Sequence, residues 1–169
     1  MSSIRSVSKP EVPPARVASA WLLVAIWTAI VWWLGSDMFG APMTSRYLGP
    51  LIDWLFPGLS PEHRFAILMT IRKTAHPSVY AVLAGLSFRA ALLSGVSGLV
   101  RGAAVALAMA VSVAGLDEMR QSQTRTRTGA ASDVLLDAAG ACAALAALSF
   151  ARRRGSVERA AADELRGAR

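Results

Sequence analysis

The run VASAWLLVAIWTAIVWWLGS, from Val17 to Ser36, contains no charged residue and holds Trp21, Trp27, Trp32 and Trp33. At about 1.5 Å of rise per residue, some twenty residues cover the roughly 30 Å hydrocarbon core of a bilayer, so this stretch reads as a transmembrane helix. A secretory signal peptide would carry a shorter apolar stretch, about 7 to 15 residues, followed by a small-residue cleavage site. Phe39-Gly40-Ala41 is a poor site, and the segment reads as an uncleaved anchor. The composition agrees: the 169 residues are 54% hydrophobic, with a mean hydropathy of +0.43. Only 17% are charged, against roughly 25% in soluble domains. A chain of this length fits one domain and leaves no room for a second catalytic one. The net charge of +7 does not mark a nucleic-acid partner, because the basic residues gather at the chain ends and between apolar runs without interleaved aromatics. They read as a topology signal. Cys142 is the single cysteine, which excludes an internal disulfide, and His63 and His76 are the only histidines, which excludes a Cys/His zinc spacing.

Working outward from that anchor, residues 1–16 hold Arg5, Lys9, Arg16 and three prolines, and read as a disordered tail. Residues 37–59 are interrupted by Gly40, Pro42, Gly49, Pro50, Pro57 and Gly58, and with Trp54, Leu55 and Phe56 among them they read as an interfacial loop. Ser60-Pro61-Glu62 supplies a hydroxyl N-cap, a proline at N1 and an acid in the first turn, the start of a helix. That helix begins amphipathic and continues as a second span from Thr74 to Leu93, with a kink expected at Pro77. After a turn at Gly95, Ser97 and Gly98, Gly102 to Leu116 gives a third span and Ala131 to Phe150 a fourth, both rich in small residues that permit close helix packing in lipid. The arginine-rich stretch 151–169 closes the chain. The expected fold is therefore all-α: an integral membrane four-helix bundle over residues 17–150, with an interfacial or amphipathic segment before the second transmembrane helix. Both termini then share a side with eleven of the Lys and Arg residues against seven on the other, which predicts a multi-pass protein with N- and C-termini cytoplasmic.

Ionisable groups at bilayer depth cost at least about 2.5 kcal/mol each, so each needs a partner or a purpose. Three clusters fall at the outer ends of the spans. Lys73, His76 and Tyr80 are spaced i, i+3, i+7 on one helix face. Asp117, Glu118 and Gln121 close the third span. Arg127, Asp133 and Asp137 open the fourth. His76 suits a proton shuttle or a phosphate contact, or else a buried histidine bonded to Asp117 or Glu118. Lys73 either joins the site or snorkels to the headgroups, and Tyr80 either joins it or anchors the interface. Glu118, beside Asp117, suits general acid or base work, or an ion pair with Arg127 or Lys73. Gln121 reads as a hydrogen-bond partner and Asp133 as a helix cap. Asp137, one turn into its span, requires a partner such as Arg127 or His76. Arg127 and Arg125, at the start of the fourth helix, can clamp a phosphate or carboxylate in bidentate geometry.

Lys73-Thr-Ala-His76 with Tyr80-Ala-Val-Leu83, then Leu116-Asp117-Glu118-Met-Arg-Gln121, then Arg127-Thr-Gly129-Ala-Ala-Ser-Asp133-Val-Leu-Leu-Asp137-Ala-Ala-Gly140-Ala resembles the VanZ-like family. Its members are small bacterial membrane proteins with the pattern K-x-x-H-x-x-x-Y-x-x-L, D-E-x-x-Q, R-x-G-x-x-x-D-V-x-x-N/D-x-x-G, and the resemblance covers about residues 17–150. It implies a bacterial cytoplasmic (inner) membrane protein with a shared polar site. The family is named for a member that lowers susceptibility to teicoplanin. One departure stands out, since many relatives carry Pro-Gly ahead of the motif arginine where this chain has Thr124-Arg125-Thr126.

Three functional expectations follow. The first is an envelope protein that binds or modulates a lipid-linked anionic ligand at the outer leaflet through Lys73, His76, Tyr80, Asp117, Glu118, Gln121, Arg127, Asp133 and Asp137, with membrane lipids or a lipid-linked envelope precursor as partner. The second is an intramembrane enzyme acting on a lipid phosphate or ester, with Glu118 and His76 as its catalytic acid-base pair. The third is a structural or interaction protein in which the same groups form a hydrogen-bonded plug, alone or in an oligomer. There is no Walker A, dinucleotide fingerprint or three-donor metal spacing, so no cofactor and no metal are expected.

Overall fold

The structure, a computed structural model, describes residues 12–36, 41–123 and 131–167. Among these residues it is all-helical, without strands: α1 Pro14–Leu34, α2 Ala41–Leu55, α3 Pro61–Leu93, α4 Leu99–Ser122 and α5 Ala131–Gly167. α1, α4 and α5 are each long and apolar enough to cross a membrane, as the composition requires of a membrane protein. α3 is the exception among the four expected spans. It is long, but Arg72, Lys73, His76 and Arg89 along it hold its apolar character below that of the other three.

Of these four, Arg72 and His76 are half-buried while Lys73 and Arg89 are exposed, but α3 as a whole is the most enclosed helix. It packs against each of the other four helices. Its Tyr80, Leu83 and Ala90 meet Val24 and Val31 of α1 and Val113 and Ala114 of α4. Its Ala84 and Phe88 meet Ala106 and Ala110 of α4 and Ala141 and Leu145 of α5. α3 is thus the central post and the more apolar helices wrap it. In lipid the hydrophobic drive between helices is absent, and close van der Waals packing takes its place. α4 supplies that packing with Gly102, Ala106, Ala110 and Ala114, all buried and spaced four residues apart on one face. α5 supplies it at Gly140, where a Cβ would collide with the Pro77 backbone of α3. Only glycine lets the two helices come so close.

Polar bonds set the register. The Trp27 indole donates to the Val79 carbonyl at 2.9 Å and the Trp21 indole to the Ser94 hydroxyl at 2.9 Å, running α1 antiparallel to α3. α3 starts as its sequence predicts, with Pro61 in the first turn and the Ser60 hydroxyl accepting from the His63 amide at 3.4 Å. The Glu62 backbone and the Ser60 hydroxyl hold the exposed Glu62 carboxyl below its usual range. The helix continues through Pro77 to Leu93.

Several expectations are corrected. Residues 37–59 were expected to be a loop, yet Ala41–Leu55 is a helix with Pro50 inside it. The breakers are overridden because Ile52 buries itself, Asp53 pairs with Arg64 at 3.1 Å, and Gly49 leaves room for the Arg64 side chain. The amphipathic segment is therefore an amphipathic helix, with Tyr47, Leu51, Trp54 and Leu55 exposed. The N-terminal tail, expected to end at residue 16, gives way to α1 at Pro14. α5 does not stop at Phe150 but runs helical to Gly167. Asp133 is not the cap of α5, because the helix already includes Ala131; it lies in the first turn, where a carboxylate favours the helix dipole.

Candidate functional site

Where α1 ends, α2 crosses α3 and α4 ends, a cavity of ≈ 230 Å³ opens. Val31, Leu34, Leu48 and Val79 form apolar walls, and Arg72, His76, Tyr80 and Asp117 supply the polar groups. The face of α3 that reaches the cavity is Arg72, His76 and Tyr80, spaced i, i+4, i+8, while Lys73 is exposed and outside it. Arg72 was missed in the sequence because it belongs to that second periodicity, and the i, i+3, i+7 stripe beginning at Lys73 competes with it.

Asp117 is buried and fully engaged. Its Oδ1 accepts from Arg120 Nη2 at 2.8 Å and its Oδ2 from Gln121 Nε2 at 2.6 Å. Arg120 Nη2 also donates to the Trp32 carbonyl at 2.6 Å, tying the end of α4 to the end of α1. A buried charge survives only when its lone pairs are met, and here both oxygens are. Gly35 makes room for the arrangement, since a Cβ there would lie 2.5 Å from Asp117 Oδ1. Arg120, like Arg72, is not among the nine residues expected at the site, although Asp117 and Arg120 at i, i+3 are a legible ion-pair spacing.

A different situation holds at the α3–α5 seam. Asp137 is buried, and His76 Nδ1 stands 3.6 Å from its Oδ1. That oxygen makes no hydrogen bond. His76 is half-buried and faces the cavity, so the pair joins a proton-binding ring on the cavity wall to a carboxylate behind it. A small movement of the ring would close the gap and meet the acceptor.

Of the nine expected site residues, the structure brings His76, Tyr80, Asp117, Gln121 and Asp137 together at this level. Glu118 is half-buried and is not among the residues lining the cavity, whereas Asp137 stands beside His76. Asp133 is half-buried in the first turn of α5, with the Ser132 hydroxyl at 3.5 Å. Arg127, with Arg125, lies outside the described residues. Among the described residues no three His, Cys, Asp or Glu side chains converge to hold a metal ion.

Chemically the site offers a cation at Arg72, a proton donor or acceptor at His76, a buried hydroxyl at Tyr80 and a fixed carboxylate at Asp117, beside apolar walls. Comparison of the chain with family models, curated proteins and solved structures finds no match, so the reading rests on these residues.

Proposed function

We propose that the chain is a VanZ-like protein of the bacterial cytoplasmic membrane that binds a lipid-linked anionic ligand, a membrane lipid or an envelope precursor, at the outer leaflet. In this arrangement α1, α3, α4 and α5 all cross the bilayer as a four-helix bundle, α3 sheltered by the other three. α2 lies at the interface, and both termini are cytoplasmic. The observation that carries the reading is the cavity. At ≈ 230 Å³ it is smaller than the roughly 300–1,000 Å³ of pockets that enclose a whole small molecule. A headgroup-sized anion fits against Arg72 and His76 while its apolar part stays in lipid or on α2. Arg127 is the second cation of this proposal, and a link to teicoplanin susceptibility belongs to it.

The test compares lipids that co-purify with the wild type, Arg72→Ala and Arg127→Ala in mild detergent by native mass spectrometry. The wild type should retain one anionic lipid more than either folded variant, in which occupancy of this cavity falls about tenfold, the worth of one charge-assisted hydrogen bond. Undiminished retention in both variants contradicts the proposal. A second reading is favoured by the His76–Asp137 pair: an intramembrane enzyme on a lipid phosphate or ester, with His76 moving the proton and Asp137 orienting it. A chemically altered lipid made by the wild type but not by His76→Ala would select it.

A further inference from the structure

At the end of the molecule opposite the His76 cavity, a second cavity of ≈ 650 Å³ lies where α4 begins and α5 leaves its apolar stretch. Leu99 and Leu148 form its apolar part, and Arg152, Gly155, Ser156 and Arg159 line the rest. α5 carries no charge from Ala138 to Ala151, and Arg152 is the first cation after that run. With α5 crossing the bilayer as proposed above, the cavity straddles the level at which hydrocarbon gives way to headgroups.

Its two arginines are exposed at the mouth of the cavity, where an anion can reach them. The Arg152 guanidinium lies over the Phe88 ring at 5.2 Å from its centroid, a stacking that fixes the plane of the fork and leaves its in-plane N–H donors at the edge. Arg159 is two turns further along the same face. Among the described residues neither arginine is in an ion pair. Gly155 stands between them in the cavity wall, and a Cβ there would meet nothing within 4 Å. Glycine weakens a helix interior relative to alanine, and no neighbouring side chain demands it here. The space it leaves is lined by two cations and bounded by leucines.

We propose that this cavity is a binding site for an anionic glycerophospholipid, its phosphodiester held by Arg152 and Arg159 and its acyl chain leaving across Leu99 and Leu148. Bidentate guanidinium–phosphate pairing supplies the headgroup contacts, and the apolar wall distinguishes a lipid from free phosphate. The site uses no residue of the His76 cavity, so its failure leaves the function proposed above untouched.

The test places the full-length protein in phosphatidylcholine nanodiscs containing a minority of phosphatidylglycerol and counts retained lipids by native mass spectrometry. The wild type should hold phosphatidylglycerol in preference to phosphatidylcholine. Arg152→Ala/Arg159→Ala should remove one retained phosphatidylglycerol per protein, the occupancy of this cavity falling about tenfold or more while any lipid held at the His76 cavity stays. Gly155→Leu should reduce that occupancy similarly, because it fills the space with every charge in place, and as a strong helix former leucine preserves α5. Arg153→Ala/Arg166→Ala removes the same charge from equally exposed positions that do not line the cavity and should leave retention unchanged. The proposal is overturned if the control pair loses as much as the site pair, or if Gly155→Leu retains the lipid. It is equally overturned if inorganic phosphate alone displaces the phosphatidylglycerol, which would make this a free-phosphate site.

Discussion

Arg120 holds one oxygen of a buried carboxylate and one backbone carbonyl with a single nitrogen, so its removal has a definite consequence. In Arg120→Ala, Asp117 keeps only Gln121, and a buried acceptor left unmet costs about 1–3 kcal/mol. The variant is expected to unfold at correspondingly lower denaturant in micelles, whereas Lys73→Ala, at an exposed position, should change little. Equal stabilities for the two would contradict the geometry at Asp117. The contrast also shows what the sequence tells at this scale. The spacing of His76 and Tyr80 placed both residues on one face, and the need of Asp137 for a partner pointed to Arg127 or His76, of which His76 stands beside it. The choice between Arg72 and Lys73, and between Asp117 and Glu118, was not legible, because adjacent residues on a helix differ by about 100° and only the packing of α3 against α1 and α4 decides which one turns inward.

Among the helices, the close approach of α5 to α3 hangs on Gly140. Gly140→Ala gains up to about 1 kcal/mol of helix propensity, but its methyl collides with the Pro77 backbone, and overpacking of this kind costs about 1–3 kcal/mol. The collision with backbone cannot be relieved by a rotamer change, so the net effect is expected to be destabilising in a micelle unfolding titration. A variant more stable than the wild type would mean that α3 and α5 are not in contact at that level. α1, α4 and the apolar part of α5 were legible from the sequence because uncharged runs of this length have few alternatives. α2 was not, since Gly49 and Pro50 are strong breakers and the compensations, Ile52 burial and the Asp53–Arg64 pair, involve another helix. The helical stretch after Phe150 was equally hidden beneath its charge.

For the whole molecule, the proposed arrangement makes α3 the least apolar of four crossing helices and the one most enclosed by the others. Three helices are long and apolar enough to cross; the fourth crossing, α3, belongs to the proposal, in which half-buried His76 is sheltered by neighbouring helices and exposed Arg89, one turn from the end of α3, reaches the headgroups with its long side chain. The two counts predict different topologies. With four crossings, the α2–α3 and α3–α4 connections lie on opposite sides of the membrane, and with α3 not crossing they lie on the same side. Labelling with a membrane-impermeant maleimide in intact cells decides between them, using Glu62→Cys and Ser97→Cys separately in a Cys142→Ser background. The account predicts that Glu62→Cys is labelled from outside and Ser97→Cys only after the cells are opened. Labelling of both from the same side would contradict it.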